Sequence, residues 1–309
     1  MPWRQIGLMA ASDTRLTGEV LRMPVGQVAA STLRRCFDTV WLELRAAVAS
    51  PTEAEHVHQL RVATRRALAA IDAFRPVIPA NQRSWFEKRL RRLRRAAGEA
   101  RDLDVLAVRL GGSDMATARG RLVEMLAGKR HDSQAPIRDE LDDLMAADWS
   151  ARMERLLADV NGRRRKSRFR AYARRRFKPM VDDFFKKSDR SLHEDDEIHA
   201  LRIEGKKLRY ALEIFGAVLS TRDRMRCQES LERLQKTLGD FTDHASAADR
   251  LTRWARETDA GSNREMLAAL RDDESEQAAR ARKSLCRWWN PARRRSLRRR
   301  FRRTLRHSA

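Results

Sequence analysis

Apolar residues recur at three- and four-residue spacing along most of the 309-residue chain, and few stretches alternate apolar with polar residues as half-buried strands do. The pattern predicts an all-α protein. Val28 to Ala49 reads as a helix stopped by Ser50-Pro51, and Glu53 to about Phe74 as a second, broken by Pro76 and Pro79. A third covers Gln82 to Ala97 and ends at Gly98, with Asp102 placed to cap a fourth. These four helices make one half. Gly111-Gly112-Ser113-Asp114 and Ala135-Pro136 then punctuate connecting helices around Ala116 to Gly128 and Ile137 to Val160.

The pattern then repeats. Val57-His58-Gln59-Leu60-Arg61, with Arg65-Arg66 after it, returns as Ile198-His199-Ala200-Leu201-Arg202 with Lys206-Lys207, so that His58 recurs as His199, 141 positions on. The same offset carries Gly98 to Gly239, Glu99 to Asp240 and Asp102 to Asp243. It also carries the apolar positions Cys36, Val40 and Leu44 to Phe177, Val181 and Phe185. Arg92 and Arg95 fall on Arg233 and Lys236. Chance matches are frequent among arginines in so basic a chain, but the histidine, glycine and aspartate matches do not share that bias. The chain therefore reads as an internal duplication with halves at about 28–160 and 163–290. The second half opens with the basic run Arg163 to Lys178, and its motif helix begins near Asp195 or Asp196. Gly205 stands where the first copy has Thr64, at about 1 kcal/mol in helix propensity, as close packing of another helix would require. Residues 1–24 read as a loosely ordered leader. Residues 291–309, nearly all arginine from Arg293 to Arg306 with Leu297, Phe301 and Leu305 interspersed, read as a basic tail or a helical extension.

On a helical wheel of about 100° per residue, Val57, Leu60, Thr64, Ala67, Leu68, Ile71 and Phe74 cluster on one side, and His58, Arg61, Arg65 and Ala69 on the other. In the second copy His199, Arg202, Lys206 and Tyr210 occupy that stripe. Each copy thus stacks a histidine and two cations one turn apart, where they can meet successive anionic groups. The first stripe has almost no acidic partner, only Asp72 near its end. Like charges at helical spacing repel by a few tenths of a kcal/mol per pair, a cost that an anionic ligand would relieve.

Charge widens the argument. With 66 Lys and Arg against 43 Asp and Glu, the formal net charge is +23, which suits a long, densely negative partner. Cys36, Cys227 and Cys286 are too few and too scattered for a disulfide framework, so a reducing compartment is expected. Met1 to Met23 carries acidic and polar residues within its short apolar runs, unlike a signal peptide, and no uncharged run is long enough for a transmembrane segment. The expected location is cytoplasmic.

His58-Gln59-Leu60-Arg61 and His199-Ala200-Leu201-Arg202, each with its paired cations, resemble the two signature helices of the CHAD family, the conserved histidine α-helical domain. Gly98-Glu99-Ala100-Arg101-Asp102-Leu103-Asp104-Val105 and Leu238-Gly239-Asp240-Phe241-Thr242-Asp243 resemble that family's second motif, with Thr242 departing from the more polar or charged residue of the first copy. Together these motifs are specific, and the resemblance covers the chain from about Val25 to Trp288, bounding a domain at 25–290. It implies two four-helix bundles related by a pseudo-twofold axis, with a central basic channel that binds inorganic polyphosphate, and association with polyphosphate granules. Carried over by position, His58, Arg61, Arg65, Arg66, His199, Arg202, Lys206 and Lys207 would line the channel, with Tyr210 on the same stripe and Arg92, Arg95, Arg233 and Lys236 fixed less tightly.

Other chemistry is weaker. Glu99 with Asp102, and Asp240 with Asp243, could coordinate a metal or exchange protons, but are expected to cap helices and pair with arginines. His56 beside His58 suggests zinc, yet residues two apart point to different sides of a helix. His131 and His244 have no companions in the sequence. There is no Walker-type phosphate loop and no strand pattern of a phosphate-processing barrel, so a non-enzymatic protein without cofactor or metal is expected. The principal rival is a nucleic-acid-binding or granule-organising protein using its general basic surface. Against it, Trp41, Trp85 and Trp149 fall at helical apolar positions rather than on an exposed stacking platform. An acidic-faced protein partner, or anionic lipid under Leu297, Phe301 and Leu305, are further alternatives.

Overall fold

A computed structural model describes residues 14–110, 126–163, 167–189, 192, 194–257 and 262–306. The described residues are all-α, with one isolated bridge between Pro24 and Arg168 and no strand among them. They fall into two compact units, Arg22–Phe169 and Arg170–Ala309, the latter joined by the chain up to Leu21. Helix α1, Thr14–Arg22, forms at the end of the stretch read as a loosely ordered leader, and residues 1–13 lie outside the described residues. The Gly111 to Asp114 punctuation and most of the connecting helix expected at Ala116 to Gly128 also lie outside them.

The first unit contains α2 (Val25–Ala49), α3 (Ala54–Ala73), a 3-10 turn at Arg75–Val77, α4 (Ala80–Leu110), α5 (Ala135–Ala146) and α6 (Trp149–Gly162). Prolines end α2 and α3 where the sequence places them. Helix α4 corrects the expectation of a break at Gly98 and a new helix capped by Asp102, because it runs unbroken through both. One helical glycine costs only about 1 kcal/mol, and the continuous buried row Leu90, Leu93, Ala97, Ala100 and Leu103 outweighs that cost. Gly26 is required at the start of α2, since a Cβ there would stand 2.5 Å from the carbonyl oxygens of Val160 and Arg163 at the end of α6. The core centres on Phe37 stacked on Phe86 at 4.8 Å, with Trp149 edge-on to both at 5.6 and 5.1 Å. Trp41 and Trp85 flank Trp149, so these three tryptophans serve packing.

The second unit contains α7 (Phe169–Ser188), α8 (Asp195–Phe215), a 3-10 turn at Gly216–Val218, α9 (Thr221–Glu257), α10 (Ser262–Trp288) and α11 (Pro291–Arg306). The starts of α3 and α8, of the two 3-10 turns, and of α4 and α9 each keep the offset of 141 seen in the sequence. Gly205 is explained by close packing: a Cβ would collide with the Gln235 side chain from α9 and meet Phe184 of α7 at 3.7 Å. The arginine-rich segment takes the helical alternative. Leu297 and Phe301 are buried, and Phe301 packs edge-on to Phe177 and Phe185 at 5.8 and 6.2 Å. Nη2 of Arg303 bridges both carboxylate oxygens of buried Asp223 at 2.6 and 2.8 Å. The side of α11 that lipid would need is thus occupied by the protein interior.

Candidate functional site

In the first unit, α3 supplies His58, Arg61 and Arg65, and α4 supplies Arg91, Arg94, Arg95 and Arg101. On α4 these four share with Gly98 and Asp102 a wheel arc of about 120°. Arg61 lies across Gly98, whose missing side chain leaves Nη1 room to donate to the Arg94 carbonyl oxygen at 3.2 Å. Burial pushes the Arg61 guanidinium pKa down; Asp102 opposes that, while Arg65, Arg94 and Arg101 add to it. The same causes act on His58, which burial first and then Arg101, Arg65 and Arg61 hold below the ordinary imidazole range against a weaker pull from Glu55. Arg94 is lowered by burial and then by Arg65, Arg91 and Arg95. Nε of Arg65 is buried without a hydrogen-bond partner, and Arg65, Arg94, Arg95 and Arg101 form no ion pair among the described residues. Glu87 is shared by Arg75, Arg83 and Arg91 at 3.2, 3.9 and 3.4 Å. Positive charge on this face is therefore left largely uncompensated.

The corresponding face of the second unit carries exposed His199, half-buried Arg202 and Lys206 on α8, and exposed Lys236 on α9. It is more neutralised. Arg202 donates to Asp243 at 3.0 Å, and Lys207 and Lys187 both donate to buried Glu204 at 2.9 and 2.7 Å. Burial alone would raise the Glu204 carboxyl, but the two lysine hydrogen bonds more than offset it and leave it below the ordinary range.

Three expected site residues lie elsewhere. The Arg92 guanidinium swings to α5, where Glu140 and Asp143 hold it at 2.8 and 2.9 Å. Its counterpart Arg233 sits over the Trp288 ring of α10 at 5.3 Å. Both occupy the flank of their helix, about 60° round from Arg95 and Lys236. Tyr210 is 5% exposed and covered by Arg209, because the second copy fills with an aromatic ring a position that holds Ala69 in the first. Arg66, half-buried, occupies the position next to Arg65 on α3.

Duplicated carboxylates serve arginines: Asp243 pairs with Arg202, and Asp102 favours the charged form of Arg61. Among the described residues no cluster of three or more His, Cys, Asp or Glu could hold a metal ion. His56 faces Glu43 at 3.4 Å, and His244, which lacks a companion in the sequence, pairs with Glu274 at 2.6 Å. Reading by the repeat offset missed Arg94 and Arg101, since only cations present in both copies emerge that way. Their register with Arg91, Arg95 and Gly98 along α4 was the signal that locates them.

The CHAD domain family profile matches residues 31–252, and the chain belongs to that family. Its fold is similar to the crystal structure of the CHAD domain from the plant Ricinus communis, with a TM-score of 0.68, 21% identity and 94% of each chain covered. It is also similar to PptA from Streptomyces chartreusis, with a TM-score of 0.54, 17% identity, and 86% of this chain and 99% of that one covered. The search of curated proteins gives no match. No helix among the described residues is long and apolar enough to cross a membrane.

Proposed function

We propose that this protein binds inorganic polyphosphate without cleaving it, through the basic face of α3 and α4 and the corresponding face of α8 and α9, and that binding places it on polyphosphate granules. The observation that carries this reading is the group Arg65, Arg94, Arg95 and Arg101, gathered around Arg61 and His58 with no ion pair of their own among the described residues. Linked phosphates present one negative charge per unit, and arginines that neutralise them release condensed counterions as they do on nucleic acids. Each guanidinium can grip two phosphate oxygens. The CHAD family is associated with polyphosphate-binding proteins, which supports the choice of ligand.

The test is titration of labelled long-chain polyphosphate and of duplex DNA at physiological salt, using wild type and a variant with Arg61, Arg65, Arg202 and Lys206 changed to Ala. Selective loss of polyphosphate binding, with the chain length unchanged on a gel, is the expected result. Equal loss for both ligands would favour the second reading, a general basic surface that takes up nucleic acid as readily as polyphosphate; DNA binding retained in the variant would point to the exposed arginines Arg293, Arg295, Arg299 and Arg302 of α11. Imaging of the tagged protein in cells with and without polyphosphate granules tests the location.

A further inference from the structure

The two basic faces are built on one plan but not with one charge. At the repeat offset, the ridge positions Arg91, Arg94 and Arg101 of α4 become Glu232, Gln235 and Thr242 of α9. On the motif helix Ala63 becomes Glu204, which binds Lys207 and Lys187. Three arginines have thus become one carboxylate and two neutral groups, and a carboxylate has been added beside the lysines.

The replacements are built into the second unit's packing. Thr242 is buried and donates to the Leu238 carbonyl oxygen at 2.9 Å. Gln235 fills the space left by Gly205. Neither could become an arginine without rearranging the helices around it. In the first unit the equivalent Arg94 is exposed and Arg101 half-buried on α4, and neither forms an ion pair among the described residues.

We infer that the two halves bind phosphate chains unequally, with the α3 and α4 face of the first unit as the anchoring site, Arg94 and Arg101 as its additional contacts, and the α8 and α9 face as a weaker accessory. This rests on the polyphosphate reading. The ligand is a chain of several linked phosphates, since the cations run about 15 Å along α4 from Arg91 to Arg101, farther than a single phosphate can reach. At limiting concentration, phosphate chains occupy the first unit's face before the second's.

The experiment compares two variants that each remove two positive charges, Arg94→Gln with Arg101→Thr, and Lys206→Gln with Lys236→Gln. The first borrows the second half's own residues at an exposed and a half-buried position of α4, and circular dichroism checks that the fold is kept. Labelled polyphosphate is titrated across a salt series. The first variant is expected to lose about tenfold in affinity at physiological salt and to flatten the log-log salt slope by about 1.5, as two lost phosphate contacts require. The second should lose no more than about threefold, because the carboxylates of Glu204, Glu232 and Asp243 already lower the positive potential of that face. Equal losses, or a larger loss for the second variant, would overturn the inequality while leaving polyphosphate binding intact. Absence of polyphosphate binding in the wild type would remove the functional reading itself. A complementary variant, Glu232→Arg at an exposed position, should tighten binding; an unchanged affinity there also counts against the inference.

Discussion

Arg61 rests on Gly98, with Nη1 3.2 Å from where a Cβ would stand, whereas at Gly239 the nearest atom to a Cβ is an Asp243 carboxylate oxygen at 4.0 Å. The two helical glycines are therefore not equivalent. Gly98→Ala and Gly239→Ala should each gain up to about 1 kcal/mol of helix propensity, read in a denaturant titration. The first also displaces the tip of Arg61 and should weaken polyphosphate binding several-fold, while the second leaves it near wild type. An unaltered affinity in Gly98→Ala would show that the position of Arg61 does not matter.

Polyphosphate binding should tighten as pH falls from 8 to 6. His58 is held below the ordinary imidazole range by burial and by Arg101, Arg65 and Arg61, so it is mostly neutral in the free protein at pH 7. A polyanion on the face offsets those cations and raises the pKa, and binding then takes up a proton. A tenfold gain would correspond to about 1.4 kcal/mol. Without ligand the sign reverses. The unfolded chain binds the proton more readily, so the His58 contribution to stability diminishes as pH drops below about 6.5 towards the folded value. Calorimetry in buffers of different ionisation heat measures the uptake, and His58→Gln should abolish its His58 component.

Glu204 restrains the cations of the second unit. Glu204→Gln removes the charge that holds Lys187 and Lys207 and should raise polyphosphate affinity about two- to threefold if one further phosphate contact becomes available. Some stability should be lost near neutral pH. The Glu204 carboxyl lies below its ordinary range, so its stabilising contribution is present above that range and disappears as pH falls through the folded value. Binding no tighter than wild type would mean that the freed lysines do not reach the ligand.

Helix α11 is part of the second unit's interior. Phe301→Ala should cost about 3–5 kcal/mol, as expected for a fully buried aromatic side chain. A chain ending at Asn290 should expose Phe177 and Phe185, bind a hydrophobic dye and aggregate on heating. A truncated chain with wild-type unfolding would contradict the packing.

Much of this is legible in the sequence. The His58 and His199 helices and their buried sides follow from periodicity, because three- and four-residue spacing maps directly onto one face of a helix, and the repeat offset follows from the recurring histidine, glycine and aspartate. Gly98 misled because an isolated glycine near an aspartate has the composition of a helix end. Only the tertiary contact with Arg61 reveals that it is a space-making residue inside a longer helix. Arg92 and Arg233 misled for another reason: both copies keep the cation, but the acceptors that turn it aside, Glu140 with Asp143 in one unit and Trp288 in the other, sit on helices distant in sequence. Tyr210 followed the stripe by register, yet its ring fills the interior.

The backbone that carries the arginines of α11 is fixed before any ligand arrives, since Leu297 and Phe301 are docked and Arg303 is clasped by Asp223. A loose cationic arm would wrap around a polyanion and surrender its own freedom on doing so. Here that entropy is lost during folding, and a flexible polymer meeting this helix must conform to a preset spacing of charges.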